Sequence, residues 1–358
     1  MAYYSRFLII LFCVSCLENK IESESGGSIN DSAPELEMKI DNFLVSNLVN
    51  INESNEVRAL ALSDDATRLY TCSLQTKILY VYNKSDGSLI HSTSYGSSPR
   101  FCKSMDVHRS GRVYFSLSDS DEIGLADSGL SSLSYVQIEG LISDISDVGN
   151  NDVDPQQLYV YENYLYVASD KLGRIYRFIL DESNGDILSL DSDWGTSGYY
   201  QVKDVGNSDI TSSGELLSML YDPENQSLFA VLEGLDSVVQ IKDNGGSQVY
   251  DAIDVPDDSS PHDIEIMGSY YLVSYGALDG TKDKPYGVAV FQRSDFSEQG
   301  VLKDLGGELR NAQGLVVDSD EKTFYIIDGF FGAPNDITQD RSSDPSAQNI
   351  LMKFKYIK

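Results

Sequence analysis

VRALALSDDATRLYTCSLQTKILYVYNKSDGSLI, residues 57–90, carries the pattern that decides the fold. An apolar run, VRALAL, meets the turn SDDAT. A second run, RLYTCS, ends at the polar loop LQTK, and a third, ILYVYN, runs into KSDGS. Short runs rich in Val, Leu, Ile and Tyr between Asp/Ser/Gly clusters are β-strands joined by tight turns. Such strands form one small antiparallel sheet with two apolar faces. That sheet cannot bury both faces alone, so the chain must supply neighbours.

It does so by repetition. Further copies of the strand–turn–strand–loop–strand pattern begin at Cys102, Pro155, Leu216, Pro261 and Ala312. The first strands align on Leu60, Met105, Leu158, Met219, Ile264 and Leu315, at spacings of 45, 53, 61, 45 and 51 residues. A repeat of this length, built of short strands, is the signature of a propeller blade. No stretch keeps a helical period over several turns. The expected fold is all-β: a single β-propeller of about six four-stranded antiparallel blades. The sixth copy ends after its third strand, at Lys358, while a spare strand-like segment, MKIDNFLVSNLVN (residues 38–50), precedes the first copy. Part of that segment is expected to pair as the outermost strand of the last blade, closing the ring and removing two exposed edges. The connections at residues 138–154 and 191–214 are long, but neither is long enough for a seventh blade.

The first copy resembles the YVTN-type repeat of surface and periplasmic propellers. The third, ENYLYVASDKLGRIYRFILDESNGDIL, is similar to repeats of the same broad class and of lactonase-like propellers. The resemblance spans residues 57–358 at the level of repeats, and propellers host many unrelated functions. The gluconolactonase and regucalcin type holds a metal in its central channel and opens its first inner strand with Glu-Gly-Pro. Here that place reads Asn55-Glu56-Val57-Arg58, so the defining motif is absent.

Composition bounds the partners. With 26 Lys+Arg against 56 Asp+Glu, the net charge is −30. Nucleic acid binding needs cations to replace phosphate counterions, so no nucleic acid partner is expected. The acids are scattered, which suits solubility, although attraction for Ca²⁺ follows from the same charge. The N-terminus reads as an export signal: Arg6 precedes FLIILFCVSC (residues 7–16), which is too short to span a bilayer. Ser15-Cys16 resembles a bacterial lipobox, with Cys13 where Leu is usual. The expected division is a signal peptide at residues 1–15, a Gly/Ser-rich tether at 16–35 with Cys16 lipidated, and the propeller at 36–358. The chain is then a cell-envelope lipoprotein, touching membrane only through its anchor; an ordinary signal peptide would instead make it a secreted protein. A monomer is expected. Sequons at Asn52, Asn83 and Asn225 matter only in a eukaryotic secretory pathway. Export permits a disulfide between Cys72 and Cys102; two buried thiols are the other reading.

Catalytic signatures are missing: there is no G-x-S-x-G, Walker loop, G-x-G-x-x-G or H-E-x-x-H. With three His, a His-rich zinc site is not expected. No cofactor is expected either. Ca²⁺ is the one candidate, at Asp257-Asp258, Asp318-Ser319-Asp320 or Asp336 and Asp340, although acidic turns commonly hold no metal. Propeller topology puts the starts of the inner strands around the channel mouth. The candidate ligand-binding residues there are Arg58, Lys103, Gln156, His262, Asp263 and Gln313, together with Gln157 and Glu215. His262-Asp263 is an acid/base candidate, or else a local turn cap. Two long loops share that face: GALDGTKDKPY (276–286) and GFFGAPNDITQDRSSDPSAQ (329–348). Phe330 and Phe331 in the second are either interface anchors or a plug for the channel. The leading expectation is a binding or scaffold propeller that recognises a protein or small molecule on this face. The alternative is a lactonase- or hydrolase-like enzyme with a metal in the channel.

Overall fold

The strand runs carry little polar alternation because both of their faces are covered. Val113–Ser118 and Ser227–Leu232 are buried at every position, as befits sheets packed on both sides. The structure, a computed structural model, describes residues 43–51, 57–74, 76–97, 100–142, 153–203, 208–209, 216–232, 235, 237–242, 250–254, 259–277, 287–303, 312–318, 322–331 and 348–356. Its strands form six antiparallel sheets, five of four strands and one of five. Each sheet is one blade, and the blades follow chain order: residues 57–94, 101–137, 155–201, 216–254, 259–303 and 312–356. The fold is a six-bladed β-propeller. The fifth strand of blade 3, Tyr199–Gln201, pairs with Arg174–Leu180 and uses part of the long connection after it. Among the described residues the only α-helix, Ile138–Leu141, has four residues.

The ring is closed by the N-terminal strand. Phe43–Ile51 pairs antiparallel with Gln348–Tyr356 and is the outermost strand of blade 6. The last blade therefore takes strands from both ends of the chain.

Packing follows the same logic. The described core falls into six clusters, each lying between two consecutive blades. In one, Tyr70, Leu79 and Val81 of blade 1 meet Met105, Phe115 and Leu117 of blade 2. Cys72 and Cys102 are joined across this interface by a disulfide. At the foot of the blades, away from the channel mouth, charged latches tie neighbours together. Asp222, at the end of the inner strand of blade 4, is fully buried. It accepts from the Tyr271 hydroxyl and the Arg293 guanidinium of blade 5. Burial pushes its carboxyl up, but Arg293, Tyr271 and the Asn225 amide outweigh this and hold it down at about 2. Asp318 holds the equivalent place in blade 6 and pairs with buried Lys84 of blade 1. The acid proposed above as part of a calcium cluster is thus a latch across the point of ring closure.

Residues 1–35, with Cys16, lie outside the described residues, as do Asn52, Glu215, Asp257, Asp258, Asp336 and Asp340. The strand ends trim both long loops. Ala277 ends one strand and Phe331 another, so the connections are residues 278–286 and 332–347, both outside the described set. Phe330 and Phe331 belong to the strand Thr323–Phe331 and not to the loop; their side chains also lie outside the described set.

Candidate functional site

Every inner strand breaks its register at the same place, and these breaks build the channel mouth. In blades 3 to 6 one residue is left out of the ladder: Gln156, Leu217, His262 and Gln313. In blade 1, Arg58 and Ala59 oppose Cys72, and in blade 2, Lys103 and Ser104 oppose Ser116. Arg58, Lys103, Gln156, Leu217, His262 and Gln313 each stand two residues before the aligned core positions Leu60, Met105, Leu158, Met219, Ile264 and Leu315. A β-bulge bends the strand and re-aims a side chain. Repeated six times on the innermost strands, it puts one residue per blade at the start of the channel.

The described side chains converge accordingly. A cavity of 40 Å³ is lined by Lys103 and Ser104 of blade 2, Gln156 and Gln157 of blade 3, Leu217 of blade 4, and His262 and Asp263 of blade 5. Ala59 and Leu60 of blade 1 complete it. At this size it admits one functional group or a few waters. Arg58 and Gln313 hold the equivalent backbone positions in blades 1 and 6; their side chains lie outside the described set.

Below the bulges, the inner strands are stitched edge to edge by side chains. Ser104 Oγ accepts from Leu158 N at 3.1 Å. Asp106 Oδ2 accepts from Val160 N at 2.5 Å and Oδ1 from Val107 N at 2.7 Å. Asp263 spans three blades: Oδ1 accepts from the Ser218 hydroxyl at 2.6 Å and from Ile264 N at 2.9 Å, and Oδ2 accepts from Leu315 N at 2.8 Å. These bonds satisfy amides on strand edges that have no neighbouring strand. Both Asp263 oxygens are thus turned to blades 4, 5 and 6, and His262 is the bulged residue inside the strand Ser259–Met267.

Asp106, Asp263 and Glu265 make the channel acidic beneath this polar rim. Asp106 and Glu265 occupy the same level, one residue past the core position, on blades 2 and 5 of six, which face each other across the ring. All three keep some accessible surface along the channel, yet protein surrounds them, and that depth governs their titration. Burial raises Asp106 to about 7, against the pull of the Val160 and Val107 amides, and the charge of Asp263 adds to the rise. Burial likewise raises Asp263 to about 6. Glu265 stands well above the usual carboxylate range, through burial first and then the charges of Asp263 and Asp106. Tyr159 of blade 3 lies in the same field, its phenol raised by burial and by Glu265 and Asp106.

The oxygens of Asp263 and Asp106 accept from protein donors. Among the described residues no three His, Cys, Asp or Glu side chains come close enough to share an ion.

No protein-family profile and no curated protein sequence matches the chain. Solved structures do resemble it in fold. Virginiamycin B lyase from Staphylococcus aureus, as a catalytically inactive histidine-to-alanine variant with quinupristin, is 13% identical with a TM-score of 0.54. The match covers 88% of this chain and 100% of the lyase. A luciferin-regenerating enzyme is 11% identical, with a TM-score of 0.60 over 88% of this chain and 96% of its own. A protein assigned as a gluconolactonase is 10% identical, with a TM-score of 0.57 over 88% and 92%. At such identities the likeness is one of fold, to lyase- and lactonase-type propellers.

Proposed function

We propose that this chain is an exported binding propeller whose ligand engages the channel mouth through the ring of bulge residues. One observation carries the proposal: the repeated bulge brings Lys103, Gln156 and His262 from three blades onto one cavity. A cation, an amide and an imidazole around a cavity of 40 Å³ suit the carbonyl or carboxylate end of a small molecule or of a partner's side chain. The rest of the ligand lies outside, where the connections leaving Ala277 and Phe331 start on the same face. Export draws support from the apolar run at residues 7–16 and from the Cys72–Cys102 disulfide, a bond of oxidising compartments. A thermal-shift screen of small carboxylates, lactones and amides on the soluble domain tests the reading. Hits should stabilise the wild type and lose their effect in a Lys103→Ala/His262→Ala double variant. Hits unaffected by that change place the site elsewhere.

A second reading is favoured by His262 at the mouth and by the three enzymes that share the fold. Here His262 exchanges a proton with a lactone- or ester-like substrate held by Lys103 and the glutamines. Turnover of any screening hit, followed by mass spectrometry and abolished by His262→Ala alone, selects this reading; hits recovered unchanged select binding.

A further inference from the structure

The face opposite the channel mouth carries a groove. A cavity of 640 Å³ lies at the foot of blade 1 where it meets blade 6. A second, of 210 Å³, lies where blade 1 meets blade 2. Asp65 and Arg68 line both, so the two cavities are the arms of one groove across blade 1.

Arg68 stands at the junction. Arg100, Arg109, Arg112, Arg177 and Arg293 each hold a carboxylate. Arg68 donates from Nη1 to the Ser128 carbonyl at 2.7 Å and pairs with no carboxylate among the described residues. The Tyr70 hydroxyl and the charge of Asp65 also lie beside it, but with no carboxylate in an ion pair the partly buried guanidinium keeps part of its planar fork for an incoming anion in a protein of net charge −30. The remaining walls are of other kinds. Asp65 uses Oδ1 for Ser63 and Thr67, so its Oδ2 can accept from a hydroxyl. Asn83 and Ser85 add amide and hydroxyl groups, and Ile90, 49% exposed, adds an apolar patch. The Lys84–Asp318 pair at the groove is internally neutralised.

We infer that this groove binds an acidic sugar, with the carboxylate of a hexuronate unit on Arg68, its hydroxyls on Asp65 and the Asn83–Ser85 turn, and its apolar ring face on Ile90. The larger arm falls within the size range of small-molecule sites, and an open groove lets an oligomer run past either end. This site is independent of the channel mouth and stands or falls separately.

Isothermal titration with a galacturonic acid trimer tests it, with maltotriose and inorganic sulfate as competitors. The trimer should bind wild type. Arg68→Met should weaken it by at least about tenfold, the loss of one charge-assisted fork. Arg68→Lys should fall between, and His262→Ala should leave binding unchanged. Thermal melts of both Arg68 variants confirm folding. Wild-type affinity in folded Arg68→Met, no binding of the trimer to wild type, or equal affinity for maltotriose or sulfate overturns the inference.

Discussion

Raising the pH should loosen this ring, and the axial carboxylates set the size of the effect. Asp106 and Asp263 titrate near 7 and 6 when folded, against 3.8 as the ordinary value. A raised carboxyl pKa means that the folded state binds more protons than the unfolded state between those values. Stability then falls as pH rises from about 4 to about 7. At about 1.4 kcal/mol per pKa unit, Asp106 contributes about 4 kcal/mol and Asp263 about 3 kcal/mol. Water in the channel screens both, so a total loss of about 4 kcal/mol is expected, or roughly 6 °C in melting temperature for a domain of this length. Glu265, Tyr159, Lys103 and His262 are the other titratable groups described along this part of the channel. The assay is calorimetry from pH 4.5 to 8.5 in 0.5 M NaCl. Salt at that level suppresses repulsion among the many surface acids but barely reaches the axis. Glu265→Gln removes the carboxyl held furthest above the ordinary range and should end the falling limb at lower pH. A flat profile in high salt, or one that Glu265→Gln leaves in place, would show that the axial carboxylates do not set the stability of the ring.

Further outcomes follow from the latches and the closure. Arg293→Met strands the buried Asp222 carboxylate and should cost about 3–5 kcal/mol in urea unfolding; because Asp222 is held near 2, the loss should shrink below about pH 4 as that group protonates in the variant. Replacing Cys72 and Cys102 by Ser removes a cross-link over a sequence separation of 30 and should cost about 3–4 kcal/mol, read by the same melts. A chain beginning at Val57 lacks the strand Phe43–Ile51 and exposes the edge of Gln348–Tyr356; size-exclusion chromatography should show aggregation, and a monomer with the wild-type melting temperature would contradict closure by that strand.

The blades were legible in the sequence because each is a local pattern. Runs such as VRALAL and RLYTCS, with their turns, recur with the core positions in step, and the spare segment at 38–50 marked the missing strand. The mouth was partly legible: the starts of inner strands pointed to Arg58, Lys103, Gln156, His262 and Gln313. The bulge that unites them was not, because a one-residue shift in pairing leaves no mark on a short run. Asp106 and Glu265 were hidden inside strands that read as core. Only the ring brings blade 2 opposite blade 5 and makes the two acids share a field. No local pattern marks the latches of Asp222 and Asp318, since Arg293 and Lys84 lie on other blades and far away in sequence. Arg68 opens a strand, and its lack of a carboxylate partner among the described residues is a property of the neighbours the fold supplies.

At the channel mouth, residues from separate blades are proposed to form one site. Its most direct test is the affinity of a confirmed screening hit, measured by isothermal titration against Lys103→Ala, Gln156→Ala and His262→Ala, one change in each of blades 2, 3 and 5. Each should weaken binding by about tenfold or more, while Arg68→Met on the opposite face leaves it unchanged. Full affinity in all three mouth variants would contradict it.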